Sequence, residues 1–97
     1  MPRPVRFSED AIIEALAAFR WYRGRSDRAA ARFRDELVHA VDAIATSPEA
    51  WPSYVSGTRR YLVRRFPFLV VFTATPDEIQ VVAVAHARRR PGYWKDR

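Results

Sequence analysis

Residues 68–86, FLVVFTATPDEIQVVAVAH, largely decide the architecture of this 97-residue chain. The stretch contains two nearly continuous β-branched and aromatic runs, at 68–74 and 79–85, separated by the turn-forming residues 75–78. Such runs are typical of strands that are covered on both faces or nearly so. A proline followed by an aspartate favours a tight turn between them. The stretch therefore predicts a β-hairpin whose strands are largely buried.

A third strand is expected just before this hairpin, at residues 59–66. Its side chains alternate between two faces, as in a strand that meets two different environments. One predicted face holds Tyr61, Val63 and Arg65, and the other holds Arg60, Leu62, Arg64 and Phe66.

The first half of the chain predicts two amphipathic helices. Ser8 offers an N-cap for the first helix, and Gly24 marks its end. Helical spacing places Ile12, Leu16 and Phe19 on one stripe, which we expect to face the core.

The second helix follows after a very short linker, with Ser26 as its N-cap and an end near residues 46–48. A short linker between two amphipathic helices predicts an antiparallel helical hairpin, which needs a flat surface to bury its apolar stripes. The predicted stripe of the second helix contains Ala30, Phe33, Leu37, Val41 and Ile44.

These elements predict one α+β domain over residues 1–97. An N-terminal α-helical hairpin packs on a small antiparallel β-sheet with three main strands, and the segment at residues 4–7 can add a short N-terminal edge strand. No internal repeat or low-complexity segment divides the chain.

The net charge of +6 lies entirely in the second half, because residues 1–49 contain equal numbers of arginines and acids. Without cysteine, neither disulfides nor thiolate metal sites can form, which fits a reducing compartment. No signal peptide or membrane-spanning run is recognisable, so we expect a cytoplasmic protein with no membrane partner.

Arginines cluster at two places that could face a polyanion. In the simpler alternative, strand arginines only keep a sheet edge soluble. The polyanion-binding candidates on the first long strand are Arg59, Arg60, Arg64 and Arg65, and Arg88, Arg89 and Arg90 follow the last strand.

The segment that follows the last strand combines these arginines with His86, Tyr93 and Trp94. His86 can act as an acid or base, donate a hydrogen bond to phosphate, or serve as a structural group. The two aromatic residues can stack on a partner or close the core, and for Trp94 we favour the core. With His39 as the only other histidine, we expect no metal site, and no motif indicates a cofactor.

Two sequence blocks, YLVRRFPFLVVF at 61–72 and VAVAHARRRPGYW at 82–94, resemble the RelE/ParE superfamily of bacterial toxins. The resemblance covers nearly the whole chain and implies the same helical hairpin on a small sheet. It also implies a growth-inhibiting toxin of a type II toxin–antitoxin system, of the kind associated with plasmid stabilisation. Its partner would be a small, partly disordered antitoxin, acidic in its toxin-binding segment, in a hetero-oligomer.

Two mechanisms are known in this superfamily. ParE-like members are thought to poison DNA gyrase, a binding activity without bond-breaking, whereas RelE-like members are metal-independent, ribosome-dependent mRNA endonucleases. For the nuclease alternative, the resemblance implies roles for Arg64, His86, Arg88 and Tyr93.

The chain departs from the nuclease pattern at three positions. Tyr61 and Val63 stand where that branch tends to have lysines, and Ala87 stands where it tends to have an arginine. These departures favour the ParE-like alternative, with no catalytic residue and with gyrase as the target. A third hypothesis is a non-catalytic nucleic-acid-binding module. The residues expected to contact the target are Arg88, Arg89, Arg90, Tyr93 and Trp94.

Overall fold

The computed structural model describes residues 2–97 and has an α+β fold, in which two helices cover one face of a four-stranded sheet. Two short 3₁₀ turns, at Pro48–Ala50 and Val55–Gly57, lie between the helices and the main strands. The helices are α1 (Glu9–Arg23) and α2 (Asp27–Thr46), and the strands are β1 (Val5–Phe7), β2 (Arg59–Leu62), β3 (Phe68–Ala74) and β4 (Ile79–His86).

The sheet order is β1-β4-β3-β2. Strands β2, β3 and β4 form the predicted antiparallel meander, and Thr75 N–H donates to Glu78 O at 2.9 Å in the predicted turn. The N-terminal strand is present, but it pairs in parallel with β4, so the sheet as a whole is mixed. The parallel pairing is continued at both ends by hydrogen bonds from Ile79 N–H to Pro4 O and from Ser8 N–H to Val81 O, each 2.9 Å long.

Both predicted N-caps are confirmed. The Ser8 hydroxyl accepts a hydrogen bond from Ala11 N–H at 3.1 Å, and the Ser26 hydroxyl accepts one from Ala29 N–H at 3.2 Å. Helix α1 ends before Gly24, as predicted, although the φ of Gly24 is −63° and requires no glycine. Within residues 2–97, neither helix combines the length and the hydrophobicity needed to cross a membrane.

The predicted core stripe of α1 is wrong at Ile12 and Leu16, which are 47% and 45% exposed, whereas Phe19 is partly buried. Ala11 and Ala18 face the core instead. Small side chains on the inner face let the helix lie close to β4, which leaves the larger ones on the outside. The α2 stripe is confirmed: Ala30, Phe33 and Ile44 are buried, and Leu37 and Val41 are partly buried.

Strand β3 is buried on both faces, as its composition predicts. A bulge at Val82, where β4 has one extra residue opposite Val71 and Phe72, shifts the register of the two strands. The larger core lies under the helices and includes Ile44, Val63, Val70, Phe72, Ile79 and Val81. A second, smaller core on the opposite face contains Leu69, Val71, Ala83 and Trp94.

The strand predicted at 59–66 ends at Leu62, four residues early. Pro67 alone cannot reverse the chain between two antiparallel neighbours, so residues 63–67 are used for the connection. Val63 N–H donates to Phe68 O at 2.9 Å to close this turn, and Arg65 adopts a left-handed backbone with φ +68°. The last strand extends one residue further than predicted, to His86.

Candidate functional site

The β2–β3 turn and the segment after β4 lie at the same end of the sheet. Phe68 and His86 are register partners, and Ala87 N–H donates to Pro67 O at 2.7 Å. This contact brings the turn arginines Arg64 and Arg65 beside the segment at residues 86–90, as a meander with β3 in the middle requires.

Four arginines at this end form what we call the arginine rim: Arg64, Arg65, Arg88 and Arg90. All four are exposed. None of them takes part in the ion pairs found within residues 2–97. Their positive charges are therefore available to a partner.

Arg59 and Arg60, which were predicted to share a polyanion surface with Arg64 and Arg65, occupy other surroundings. The Arg59 guanidinium donates to Trp51 O at 2.6 Å, and the Arg60 guanidinium lies 5.2 Å from the centre of the Tyr54 ring. Arg59 pairs with Phe72, at the opposite end of β2 from the turn. The structure thus separates this pair from the arginine rim.

His86 is exposed at the end of β4, and its ring meets Phe68 edge-on with centroids 5.3 Å apart. Its Nδ1 accepts a hydrogen bond from Arg88 N–H at 3.1 Å. In the neutral imidazole this arrangement places the proton on Nε2, which is then a donor beside the rim.

The C-terminal segment is attached to α1 by a network that we call the Glu14 clasp, made of Glu14, Tyr93 and Arg97. Both Glu14 oxygens accept hydrogen bonds from the Arg97 guanidinium at 2.9 Å, and Tyr93 Oη donates to Oε2 at 2.5 Å. Glu14 Oε1 also accepts from Val84 N–H at 3.0 Å, and Arg97 donates to Val82 O at 3.1 Å. The clasp thereby covers the part of the β4 edge that β1 leaves unpaired.

Protonation equilibria reflect these contacts. Burial on its own would raise the pKa of Glu14, but hydrogen bonds from Arg97, Tyr93 and Val84 outweigh it, so the pKa lies below its ordinary value. Burial and the hydrogen bond to Glu14 raise the pKa of Tyr93 well above its ordinary value. The hydrogen bond to Glu14 also raises the pKa of Arg97. At neutral pH the clasp therefore pairs an ionised carboxylate with a charged guanidinium and a neutral phenol.

Of the residues predicted to contact the target, Tyr93 belongs to the Glu14 clasp and Arg89 contacts it. The Arg89 guanidinium carbon lies 3.6 Å from the centre of the Tyr93 ring, and its Nη1 is 3.6 Å from Glu14 Oε2. Arg88 and Arg90 are exposed and outside the clasp.

Trp94 lies in the core, the alternative that its sequence context favoured. It is 5% exposed and stacks on Tyr54 with ring centroids 5.6 Å apart. Its indole Nε1 has no hydrogen-bond partner within the described residues. Trp94 therefore holds the C-terminal segment against the second face of the sheet and presents little surface to a target.

An open cavity of about 380 Å³ lies between α1 and the end of β4, beside the clasp. The sequence analysis did not identify Glu14 as a site residue. The one signal that could have indicated it was an acidic side chain among the alanines of α1. The cavity is lined mainly by apolar and aromatic side chains, among them Trp21, Tyr22, Phe68 and Tyr93, with His86, Arg89 and Glu14 as its polar groups.

The positions at which the nuclease branch tends to have lysines are buried here. Tyr61 is 7% exposed and Val63 is 1% exposed, and both belong to the core under the helices. Neither side chain lies at the surface that holds the arginine rim. Within residues 2–97, no group of three or more histidine and acidic side chains is arranged to hold a metal ion.

Comparison with known proteins agrees with this architecture. Residues 5–91 match the family model described as the ParE toxin of the type II toxin-antitoxin system, parDE. A similar solved structure is that of the chromosomal ParDE toxin–antitoxin system from P. aeruginosa, with a TM-score of 0.76 and 20% identity over 89% of this chain and 97% of that chain. No curated protein matches. Since the family model spans nearly the whole chain, this protein belongs to the ParE toxin family of type II toxin–antitoxin systems.

Proposed function

We propose that this toxin inhibits growth by binding DNA gyrase and breaks no bond itself. The observation on which the proposal rests is the engagement of Tyr93 in the Glu14 clasp. In the nuclease alternative, Tyr93 would serve the scissile phosphate together with Arg64, His86 and Arg88. Here the phenol donates to Glu14, and Arg89 stacks on the Tyr93 ring.

The protonation state of Tyr93 supports the same conclusion. Burial and the hydrogen bond to Glu14 raise the pKa of the phenol, so it gives up its proton less readily. The buried positions of Tyr61 and Val63 leave the first long strand without exposed basic side chains at the places where the nuclease branch tends to have lysines. Binding to gyrase requires neither a tyrosine that gives up its proton nor basic side chains at these positions of the first long strand.

The target-contact surface that we propose is centred on Arg88 and Arg90, which are exposed after the end of β4 and take part in none of the ion pairs found within residues 2–97. Arg89 and Tyr93 shape its border through the clasp. Trp94 supports this surface by anchoring the segment in the second core. Of the residues predicted to contact the target, Arg88 and Arg90 would therefore contact it directly, whereas Arg89, Tyr93 and Trp94 would support the segment.

We also propose that a small antitoxin neutralises the toxin by binding the outward face of α1. Ile12, Ile13 and Leu16 are exposed there, with exposures of 45% to 57%. An exposed apolar helix face is a typical docking surface for an amphipathic segment that folds on binding. Acidic residues in that segment would be attracted by the net charge of +6.

Induction of the full chain in bacteria, with and without the adjacent antitoxin reading frame, tests the proposal. Gyrase poisoning predicts filamentation, double-strand breaks and a DNA-damage response that antitoxin co-expression prevents. With purified components, the toxin should inhibit supercoiling or trap cleaved DNA only when gyrase is present. Unaffected growth in the absence of antitoxin would overturn the toxin activity itself.

The endonuclease alternative is retained because Arg64, His86 and Arg88 do lie at one end of the sheet. It predicts codon-phased mRNA cleavage on translating ribosomes, without DNA damage. Under that mechanism Arg64→Ala would abolish cleavage while thermal unfolding stays unchanged. Such a result would replace gyrase with ribosome-bound mRNA as the target.

A further inference from the structure

We infer that the arginine rim is a binding site for the sugar–phosphate backbone of duplex DNA, which the toxin contacts directly. This inference deepens the proposed function, because it names the DNA of a gyrase–DNA complex as what the surface around Arg88 and Arg90 contacts. It rests on that proposal only for the source of the DNA, since backbone binding is a property of this chain alone.

The rim arginines have no ion-pair partner within residues 2–97. Elsewhere in residues 2–97, Arg3, Arg6 and Arg97 form ion pairs and Arg59 donates to backbone carbonyls, whereas Arg20, Arg23, Arg28 and Arg32 on the helices are exposed and form none. The rim differs from these helix arginines because its four charges lie together at one end of the sheet. The four rim arginines are exposed, and the ion pairs of the described residues do not include them. Their mutual repulsion is therefore relieved only by counterions, which a phosphate backbone releases on binding.

The spacing of the rim arginines also suits a phosphate backbone. Adjacent strands of a sheet are about 4.8 Å apart, so the ends of β4 and β2, separated by β3, lie about 10 Å apart. Successive phosphates along one DNA strand advance about 3.4 Å along the helix axis. The rim has two arginines in the turn after β2 and two in the segment after β4, so it is wide enough to contact more than one phosphate of a strand.

The backbone conformation of Arg65 also indicates a functional site. Its φ of +68° lies in the left-handed region, where glycine is the favoured residue. The cationic side chain at this position is exposed, and strained backbone of this kind tends to occur at functional sites. His86 adds another donor, Nε2–H, beside the same turn, since its Nδ1 accepts from Arg88 N–H.

Duplex DNA fits this surface better than an acidic protein does. A protein interface normally has an apolar centre inside a polar border. Residues 86–91 contain no large apolar side chain, and all are exposed. The exposed apolar residues of α1 belong to a different element, on the helical face of the molecule. Guanidinium groups are donors that commonly contact the phosphate oxygens of a DNA backbone.

The test measures binding of the purified full-length chain to a fluorescent 20-base-pair duplex of mixed sequence between 50 and 200 mM salt. Four phosphate contacts predict a slope of log K against log salt between about −3 and −4. The rim variant R64Q/R65Q/R88Q/R90Q should bind at least about 10-fold more weakly and show a slope near zero. The control variant R20Q/R23Q/R28Q/R32Q removes the same charge from exposed helix positions and should bind within about 3-fold of the parent.

Equal losses in the two variants would overturn the inference, because binding would then depend on net charge alone. Preferential, rim-dependent binding of polyglutamate in place of DNA would overturn it in favour of an acidic protein partner. Thermal unfolding of each variant checks folding, and R88Q/R90Q, which leaves the turn intact, serves as a second rim variant with an intermediate loss. These results do not depend on toxicity: DNA binding without growth inhibition would contradict only the proposed function.

Discussion

Glu14 accepts hydrogen bonds from three places in the chain, namely the Arg97 guanidinium, the Tyr93 hydroxyl and the Val84 amide. Its side chain is 14% exposed, so these hydrogen bonds form where water competes weakly. A single carboxylate thus joins α1, the edge of β4 and the C-terminal segment.

We predict that Glu14→Gln lowers the free energy of unfolding at pH 7 by about 1–3 kcal/mol, the usual range for hydrogen bonds to a charged group. The folded state lowers the pKa of Glu14, so its contribution is present above the unfolded-state pKa of about 4.3 and is lost as pH falls through the folded-state pKa. The difference between parent and variant should therefore shrink below pH 4. Urea unfolding at pH 7 and pH 3 measures it, with Glu36→Gln on α2 as the control. A difference that is independent of pH would contradict the assigned charge on Glu14.

Arg65 provides a second prediction at this scale. A left-handed non-glycine residue costs about 1–2 kcal/mol, and glycine costs about 0.5–1 kcal/mol in unfolded-state entropy. Arg65→Gly should therefore leave the protein as stable as the parent, or more stable by up to about 1 kcal/mol, while it weakens binding to duplex DNA. Arg64→Gly is the matched control, because Arg64 lacks a positive φ and should gain no stability. A large loss of stability in Arg65→Gly would show that the arginine side chain has a structural role.

At the scale of the element, α1 has two distinct faces. The inner face is made of small residues and Glu14, and it lies along β4. The outer face exposes Ile12, Ile13 and Leu16, large apolar side chains that contribute little to the core. This distribution is the reverse of the usual amphipathic helix and is typical of a helix that awaits a partner.

We predict that Leu16→Glu changes the free energy of unfolding by no more than about 0.5 kcal/mol, as for most surface substitutions. Its affinity for the cognate antitoxin should fall at least about 10-fold, because a charge would be buried at the interface. Titration calorimetry with the purified antitoxin measures this, and Arg20→Gln on the same helix, which also changes the charge by −1, is the charge-matched comparison. Unchanged affinity in Leu16→Glu would place the antitoxin elsewhere.

At the scale of the molecule, the sheet is covered on one face by the helices and on the other by the segment around Trp94. The second core is small, so one tryptophan supplies much of its buried apolar area. The same segment is held from the side by the Glu14 clasp.

We predict that Trp94→Ala lowers the free energy of unfolding by about 3–5 kcal/mol, as for large-to-small changes in cores. Trp94→Phe should cost much less, because the indole Nε1 has no hydrogen bond to lose. Denaturant unfolding of both variants measures the difference. A small effect of Trp94→Ala would contradict the assignment of this residue to the core.

Local patterns determined most of the architecture. The N-caps at Ser8 and Ser26, the turn at 75–78 and the two-sided burial of β3 follow from interactions between near neighbours, or from composition alone. The resemblance of two sequence blocks to a toxin superfamily agrees with the family to which the chain belongs. These features can be predicted without knowing which elements contact each other in the fold.

Long-range contacts decided the remainder. The orientation of α1 depends on how closely the helix approaches β4. The periodicity of the sequence carries no information about that distance, so Ile12 and Leu16 were predicted on the wrong side of the helix. Arg59, Arg60, Arg64 and Arg65 look equivalent in sequence, yet the turn at 63–67 separates them into two sites. The Glu14 clasp joins residues about 80 positions apart, for which no local signal exists. The sequence thus determined the elements and the family, whereas tertiary packing decided which charges are neutralised inside the fold and which remain free for a partner.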